Sequence, residues 1–290
     1  MRPVSQLQWN DRSGKTLGSP LPPAEYNSVA LSPDGQRVAF TMTQNQNLDV
    51  WVLDLARGTS SRLTFDPAAD RLPLWSPDGT RIAFRNDSGF SLYQRAATGT
   101  GQEELLLKGK DLLQTDWSTD GRYIVYSQVG QTGQDLWVLA LTPERKASPY
   151  LQGPFNKDQG RFSPDGRWMA YISDESGRYE VYVQPFPATG GKWQISRDGG
   201  AQPVWRRDGK ELFYLGPDGM LMGVPVTSGG VFEAGTPAPL FKTAISLPTG
   251  IRNQYAVSAD GRRFLIVTPT REMSSAPLTV VLNWTAALKK

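Results

Sequence analysis

The stretch Leu74–Phe84, LWSPDGTRIAF, decides how this chain is read. An apolar run ending in Trp75 meets Ser76-Pro77-Asp78-Gly79, and a second apolar run, Ile82-Ala83-Phe84, follows. Proline presets one backbone angle, aspartate bonds back to nearby amides, and glycine takes the positive φ that closes a hairpin. The pattern therefore predicts two antiparallel strands joined by a tight turn. Five further versions of it occur in the chain, and their spacing points to the architecture.

The six turns end at Asp34-Gly35, Asp78-Gly79, Asp120-Gly121, Asp165-Gly166, Asp208-Gly209 and Asp260-Gly261. Successive aspartates are 44, 42, 45, 43 and 52 residues apart, a period suited to four-stranded propeller blades. Three residues before each aspartate stands a bulky apolar side chain: Leu31, Trp75, Trp117, Phe162, Trp205 and Val257. After each glycine comes a short strand such as RVAFTM, RYIVYS or KELFYL, and then a third such as DVWVLDL or YEVYVQPF. A weaker fourth follows in most units (SRLTF, EELLL, WQIS, PLF). Short runs rich in Val, Tyr, Trp and Phe between turn residues read as strands. The fold expected is an all-β, six-bladed propeller, or a seven-bladed one if the N-terminal unit is truncated. One domain spans 1–290, with blades at about 22–66, 67–110, 111–152, 153–197, 198–242 and 243–290, the last completed by 5–18.

The ends support that last assignment. LQWNDRSGKTL, Leu7–Leu17, reads as a third strand, a turn and the start of a fourth, with no first or second strand before it. The unit around Asp260 reads as three strands ending in Leu278–Trp284. The N-terminal segment is thus expected to give the last unit its outer strand, closing the ring and covering exposed edges. Two longer loops flank this unit, Thr243–Asn253 and Thr268–Pro277, and longer loops carry binding more often than tight turns do.

Composition narrows the chemistry. The 290 residues can bury a large core between blades, with no need of a disulfide or metal staple. Cysteine is absent, which removes disulfides and thiolate chemistry. Histidine is absent too, which excludes Ser-His-Asp triads, imidazole bases and histidine-ligated metals. A net charge of +3, with 28 acidic residues among 31 basic ones, argues against nucleic-acid binding. No stretch approaches 18 apolar residues, and MRPVSQLQWNDRSG lacks the apolar core of an export signal, which leaves the compartment open and makes a cytoplasmic place the expectation only if the chain is complete as written. There is no glycine-rich phosphate loop, no GxSxG elbow and no twelve-residue calcium loop.

The turn aspartates Asp34, Asp78, Asp120, Asp165, Asp208 and Asp260 read as structural, because copies on different blades cannot converge on one metal. The tryptophans beside the turns read as wedges between blades. The candidate site lies six residues before each turn aspartate, at Ser28, Leu72, Gln114, Gln159, Gln202 and Gln254, near the start of the innermost strand. With Asn27, Arg71, Asp116, Asp158, Arg161 and Asn253 beside them, these form a polar ring at the channel mouth able to hold a small ligand, a peptide or an ion, or else to line a wet channel. Asp116 and Asp158 could alternatively serve as acid and base in a hydrolase or lyase. No cofactor or metal is expected, and the chain is expected to be a monomer with a protein, peptide or small-ligand partner.

The pattern WSPDG…IAF…DLWVLDL resembles the TolB-type branch of WD-like propeller repeats. More narrowly, SRLTFDPAAD (Ser61–Asp70), GRFSPDGRWMAYISDESGRYEVYVQPFP (Gly160–Pro187), WRRDGKELFYL (Trp205–Leu215) and VVLNWTAALKK (Val280–Lys290) are similar to the C-terminal propeller of certain bacterial serine/threonine protein kinases. In those proteins a cytoplasmic kinase domain and a membrane span precede the propeller, which serves as a sensor or interaction module outside the membrane. The resemblance implies a non-catalytic, ligand- or protein-binding role and an extracytoplasmic place. There is no VAIK, HRD or DFG element, so kinase activity does not carry over. A TolB-like envelope interaction protein and the propeller of a prolyl-oligopeptidase-like peptidase are the other readings. The α/β domain of the first and the hydrolase domain of the second are absent from this sequence.

Overall fold

A computed structural model describes residues 4–109, 111–227, 230–245 and 253–270. Every regular element among them is a strand, and the strands form six antiparallel sheets. This is the six-bladed, all-β propeller that the repeats predict.

First strands run Glu25–Leu31, Asp70–Trp75, Leu113–Trp117, Lys157–Phe162, Ala201–Trp205 and Tyr255–Val257. Each pairs with a second strand: Arg37–Gln44, Arg81–Asn86, Tyr123–Val129, Trp168–Ser173, Glu211–Leu215 and Arg263–Pro269. Third strands of the first five blades are Asn47–Asp54, Ser91–Ala96, Gln134–Ala140, Glu180–Pro185 and Met220–Thr227. Their outer partners are Thr59–Arg62, Glu104–Leu107, Lys146–Leu151 and Trp193–Gln194, and in blade 5 two short pieces, Glu233–Ala234 and Ala238–Lys242.

In blade 6 the sheet mixes both ends of the chain. Ser5–Asp11 pairs with Arg263–Pro269 along its whole length, and Thr16–Gly18 forms the outer strand. The N-terminal segment therefore supplies the third strand as well as the outer one, a place further in than the outer position assigned to it from sequence. Leu278–Trp284, read from sequence as that third strand, lies outside the described residues, as does most of the two long loops. Arg12, in the turn after Ser5–Asp11, fastens the closure. Its guanidinium grips both oxygens of Glu211 in blade 5, at 2.7 and 3.1 Å, and donates to the Gly261 carbonyl.

The repeated turn behaves as its residues dictate. Its six glycines have φ between 67° and 75°, where a side chain would be strained. In five blades the serine hydroxyl donates to the turn aspartate at 2.5–2.6 Å. That bond holds Asp34, Asp78 and Asp260 below the usual carboxylate range. In blade 5 Arg206 takes the place of the serine and donates to Asp208 at 2.7 Å.

The apolar core is divided into six clusters, one for each seam between blades. Trp75 packs in the seam of blades 1 and 2 with Val52, Ile82 and Phe84, and Trp205 in the seam of blades 4 and 5 with Trp168 and Leu212. A flat blade twists away from its neighbour, and the large aromatic fills the wedge that opens.

Candidate functional site

The first strands surround the axis, and each has one edge bonded to its second strand and one edge facing the channel. These free edges are tied across every seam. Trp75 donates its indole N–H to the Ala30 carbonyl, Gln114 its amide to that of Leu72, and Thr115 its hydroxyl to that of Gly160. Trp205 donates to the Arg161 carbonyl, Tyr255 to that of Gln202, and the Val29 N–H to that of Asn253. Buried backbone groups need partners, and here the next blade provides them.

The four glutamines that the sequence marks as a polar ring belong to this system. All are buried. Gln159 accepts from the Gln202 N–H at 2.6 Å, while Gln202 exchanges two bonds with Gln254, at 2.8 and 2.9 Å. The chain bulges outward here, and Leu72, Gln159, Gln202 and Asn253 all have φ between 53° and 57°. The turn of backbone aims these side chains sideways at the neighbouring blade. Ser28 is bonded to the Thr41 hydroxyl, Arg71 to Asp87 on its own blade, and Asn27 is half-buried.

Asp116 and Asp158 are not brought together. Asp158 is buried and accepts from the Ser127 hydroxyl of blade 3 and the Gln159 N–H, both at 2.7 Å. Asp116 instead lines the central cavity, with Arg161 and Asn253. The two carboxylates thus face different partners, Asp158 the Ser127 hydroxyl and Asp116 the cavity with Arg161, and their use as an acid–base pair stays an expectation.

The cavity is a funnel of about 500 Å³ that opens on the face bearing the repeated turns. Its wall is formed by Val29, Leu31, Leu74, Trp75, Trp117, Phe162, Val204, Trp205 and Tyr255, most of them apolar or aromatic. Four residues before each turn aspartate, the strands present Ala30, Leu74, Asp116, Arg161, Val204 and Ala256. Charge thus enters one equivalent position only in two adjacent blades. Arg161 stands 3.6 Å from Asp116 and donates to the Asn253 amide oxygen, while Asp116 accepts from the Phe162 N–H at 2.8 Å. The Asp116 side chain keeps 25% exposure to the cavity although protein surrounds it. Desolvation there pushes its carboxyl upward, against the pull of Arg161 and of the Phe162 amide.

The rim was not visible as a site in the sequence. It consists of the second residue of each repeated turn: Pro33, Pro77, Thr119, Pro164, Arg207 and Ala259. The turn aspartate takes the serine bond and the glycine the positive φ, while this one place in the turn faces the opening. The available signal was variation, since it holds four residue types while its neighbours barely change. Among the described residues no group of three or more acidic side chains is placed to hold a metal ion.

Residues 23–148 match the family model described as PD40, TolB beta propeller domain. The chain is 26% identical over 161 residues to the Tol-Pal system protein TolB of Helicobacter pylori, covering 52% of this chain and 38% of that protein. It is 25% identical over 202 residues to an uncharacterised peptidase, YuxL, of Bacillus subtilis, covering 52% of this chain and 31% of that one. The chain thus spans well under half the length of these curated relatives. A solved Agrobacterium tumefaciens structure assigned as TolB superposes with a TM-score of 0.76 at 18% identity, covering 94% of this chain and all of that one. Residues 23–148 are thus similar to TolB-type propeller repeats, and the chain shares its six-bladed β-propeller fold with the Agrobacterium protein.

Proposed function

We propose that this propeller is a non-catalytic binding module that takes up part of a protein or peptide in the funnel on its turn face. The carrying observation is the asymmetry of that funnel: an apolar, aromatic wall interrupted by one charged pair, Asp116 and Arg161, from adjacent blades. A largely apolar concavity with a few placed polar groups is the usual form of a binding site, and 500 Å³ is within the usual range. A scaffold of repeated blades has no need of charge at only two of six equivalent positions. The resemblance of several stretches to kinase-appended propellers supports using this module as a sensor, its occupancy reported to whatever it is joined to or meets.

The test is a thermal-shift screen of peptides and sugars, followed by pull-down with the same chain. A ligand at one hundred times its Kd stabilises the folded state by about 2.7 kcal/mol, well within detection. A stabilising peptide or protein is expected. A screen and pull-down that yield no partner, or turnover of a substrate dependent on Asp116, would overturn the reading.

A further inference from the structure

The charged residues that line the funnel are Asp116, Arg161 and Arg207. The first two face each other near its base and offset one another. Arg207 is left as a surplus cation at the rim. It is exposed, and its guanidinium reaches past blade 6 to donate to the Pro33 carbonyl of blade 1. Its neighbour Arg206 pairs with Asp208 and Glu211, whereas no described carboxylate lies within ion-pair distance of Arg207. The Pro33 carbonyl carries no net charge, so the guanidinium of Arg207, always charged, is left unneutralised.

A second feature concerns shape. A groove of about 440 Å³ leaves the mouth between blades 2 and 3, sharing Pro77, Trp117 and Thr119 with the funnel. The available space is therefore elongated, and suits a run of chain better than a compact molecule.

We propose that the occupant is a peptide segment of a partner protein in which an apolar side chain stands next to Asp or Glu. The apolar side chain fills the funnel against Leu74, Trp117 and Val204. The carboxylate takes Arg207 from the Pro33 carbonyl, and the flanking residues follow the groove toward Arg81. This assignment rests on the binding role proposed above and adds the chemistry of what is bound.

The experiment is selection of displayed random heptapeptides on the wild-type chain and on Arg207→Gln, which keeps a rim donor but no charge. Wild type is expected to enrich Leu, Phe or Met beside Asp or Glu, and Arg207→Gln to keep the apolar preference and lose the acid. With the leading peptide, tryptophan fluorescence should show that replacing its acid by the amide weakens binding about five- to tenfold on wild type and leaves it unchanged on Arg207→Gln. Apolar peptides without an acid, or with a base in its place, would overturn this assignment and leave the binding role standing. Decanoate bound where no peptide is enriched would assign the carboxylate to a small amphiphile and overturn it too. Failure of peptides and decanoate alike on both chains would overturn the binding role itself.

Discussion

Asp70→Asn should stabilise the protein at neutral pH and remove the pH dependence that Asp70 contributes between pH 4 and 7. Asp70 opens the first strand of blade 2 and is fully buried. One oxygen accepts from the Asn86 amide at 2.9 Å, and the other, Oδ2, has no hydrogen-bond partner. Burial pushes its carboxyl from the ordinary 3.8 to about 7, opposed by Asn86 and Thr64 and reinforced by the charges of Glu103 and Asp49. The folded state therefore holds a proton that the unfolded chain gives up near pH 4. The contribution of Asp70 to stability is therefore greatest below pH 4, falls as pH rises from 4 to 7, and is lowest above 7. A displacement from 3.8 to about 7 corresponds to a ceiling of about 4 kcal/mol. Asparagine keeps an acceptor for Asn86 and carries no charge to desolvate. Urea unfolding between pH 4.5 and 8 should show the variant level with wild type at the acid end and more stable by about 2–4 kcal/mol at pH 8. An unchanged difference across that range, or a variant less stable at pH 8, would refute the reasoning.

Arg12→Ala should loosen the ring closure. It removes a bidentate grip on Glu211 that is 39% exposed on the arginine side and leaves Glu211 still held by Arg206, so urea unfolding should show a loss of about 1–2 kcal/mol. Gln202→Leu strands the buried N–H and Oε1 of Gln254, and the same measurement should show about 3 kcal/mol lost, whereas a ring of merely solvated glutamines would show almost none. Arg161→Met leaves Asp116 without its cation, so its carboxyl moves further up. Because a raised carboxyl stabilises the fold less as pH rises, the variant should be about 3 kcal/mol less stable at pH 8 and closer to wild type at pH 5. Equal losses at both pH values would show that charge is not the cause.

The fold was legible because the turn residues are local: Pro, Asp and Gly set backbone angles by their own covalent geometry, and the period between turns counts strands. The position of the closure was less so. Ser5–Asp11 and Leu278–Trp284 carry similar strand patterns, and pairing choice is a long-range matter that the pattern of one strand does not express. Four glutamines at one register read as a ring around the axis. The bulge that turns Gln159 and Gln202 sideways depends on pairing with the second strand, and it converts a lining residue into a clasp between blades. Asp116 and Arg161 were found as charges near the ring, but their separation from Asp158 follows from strand alternation around that same bulge. The rim escaped because it sits inside a motif whose other residues are structural.

Binding in the funnel on the turn face, not at the buried glutamines or the opposite end, is tested most directly by two variants. Val204→Trp places a large ring into the half-buried funnel wall, while Phe155→Ser changes an exposed residue in the link between blades 3 and 4, at the other end of the strands. The measurement is the affinity of one selected peptide for both variants, each shown to unfold cooperatively in urea. At least about a tenfold loss is expected with Val204→Trp, as a filled pocket no longer accepts an apolar anchor, and wild-type affinity with Phe155→Ser. Full affinity with Val204→Trp would contradict it.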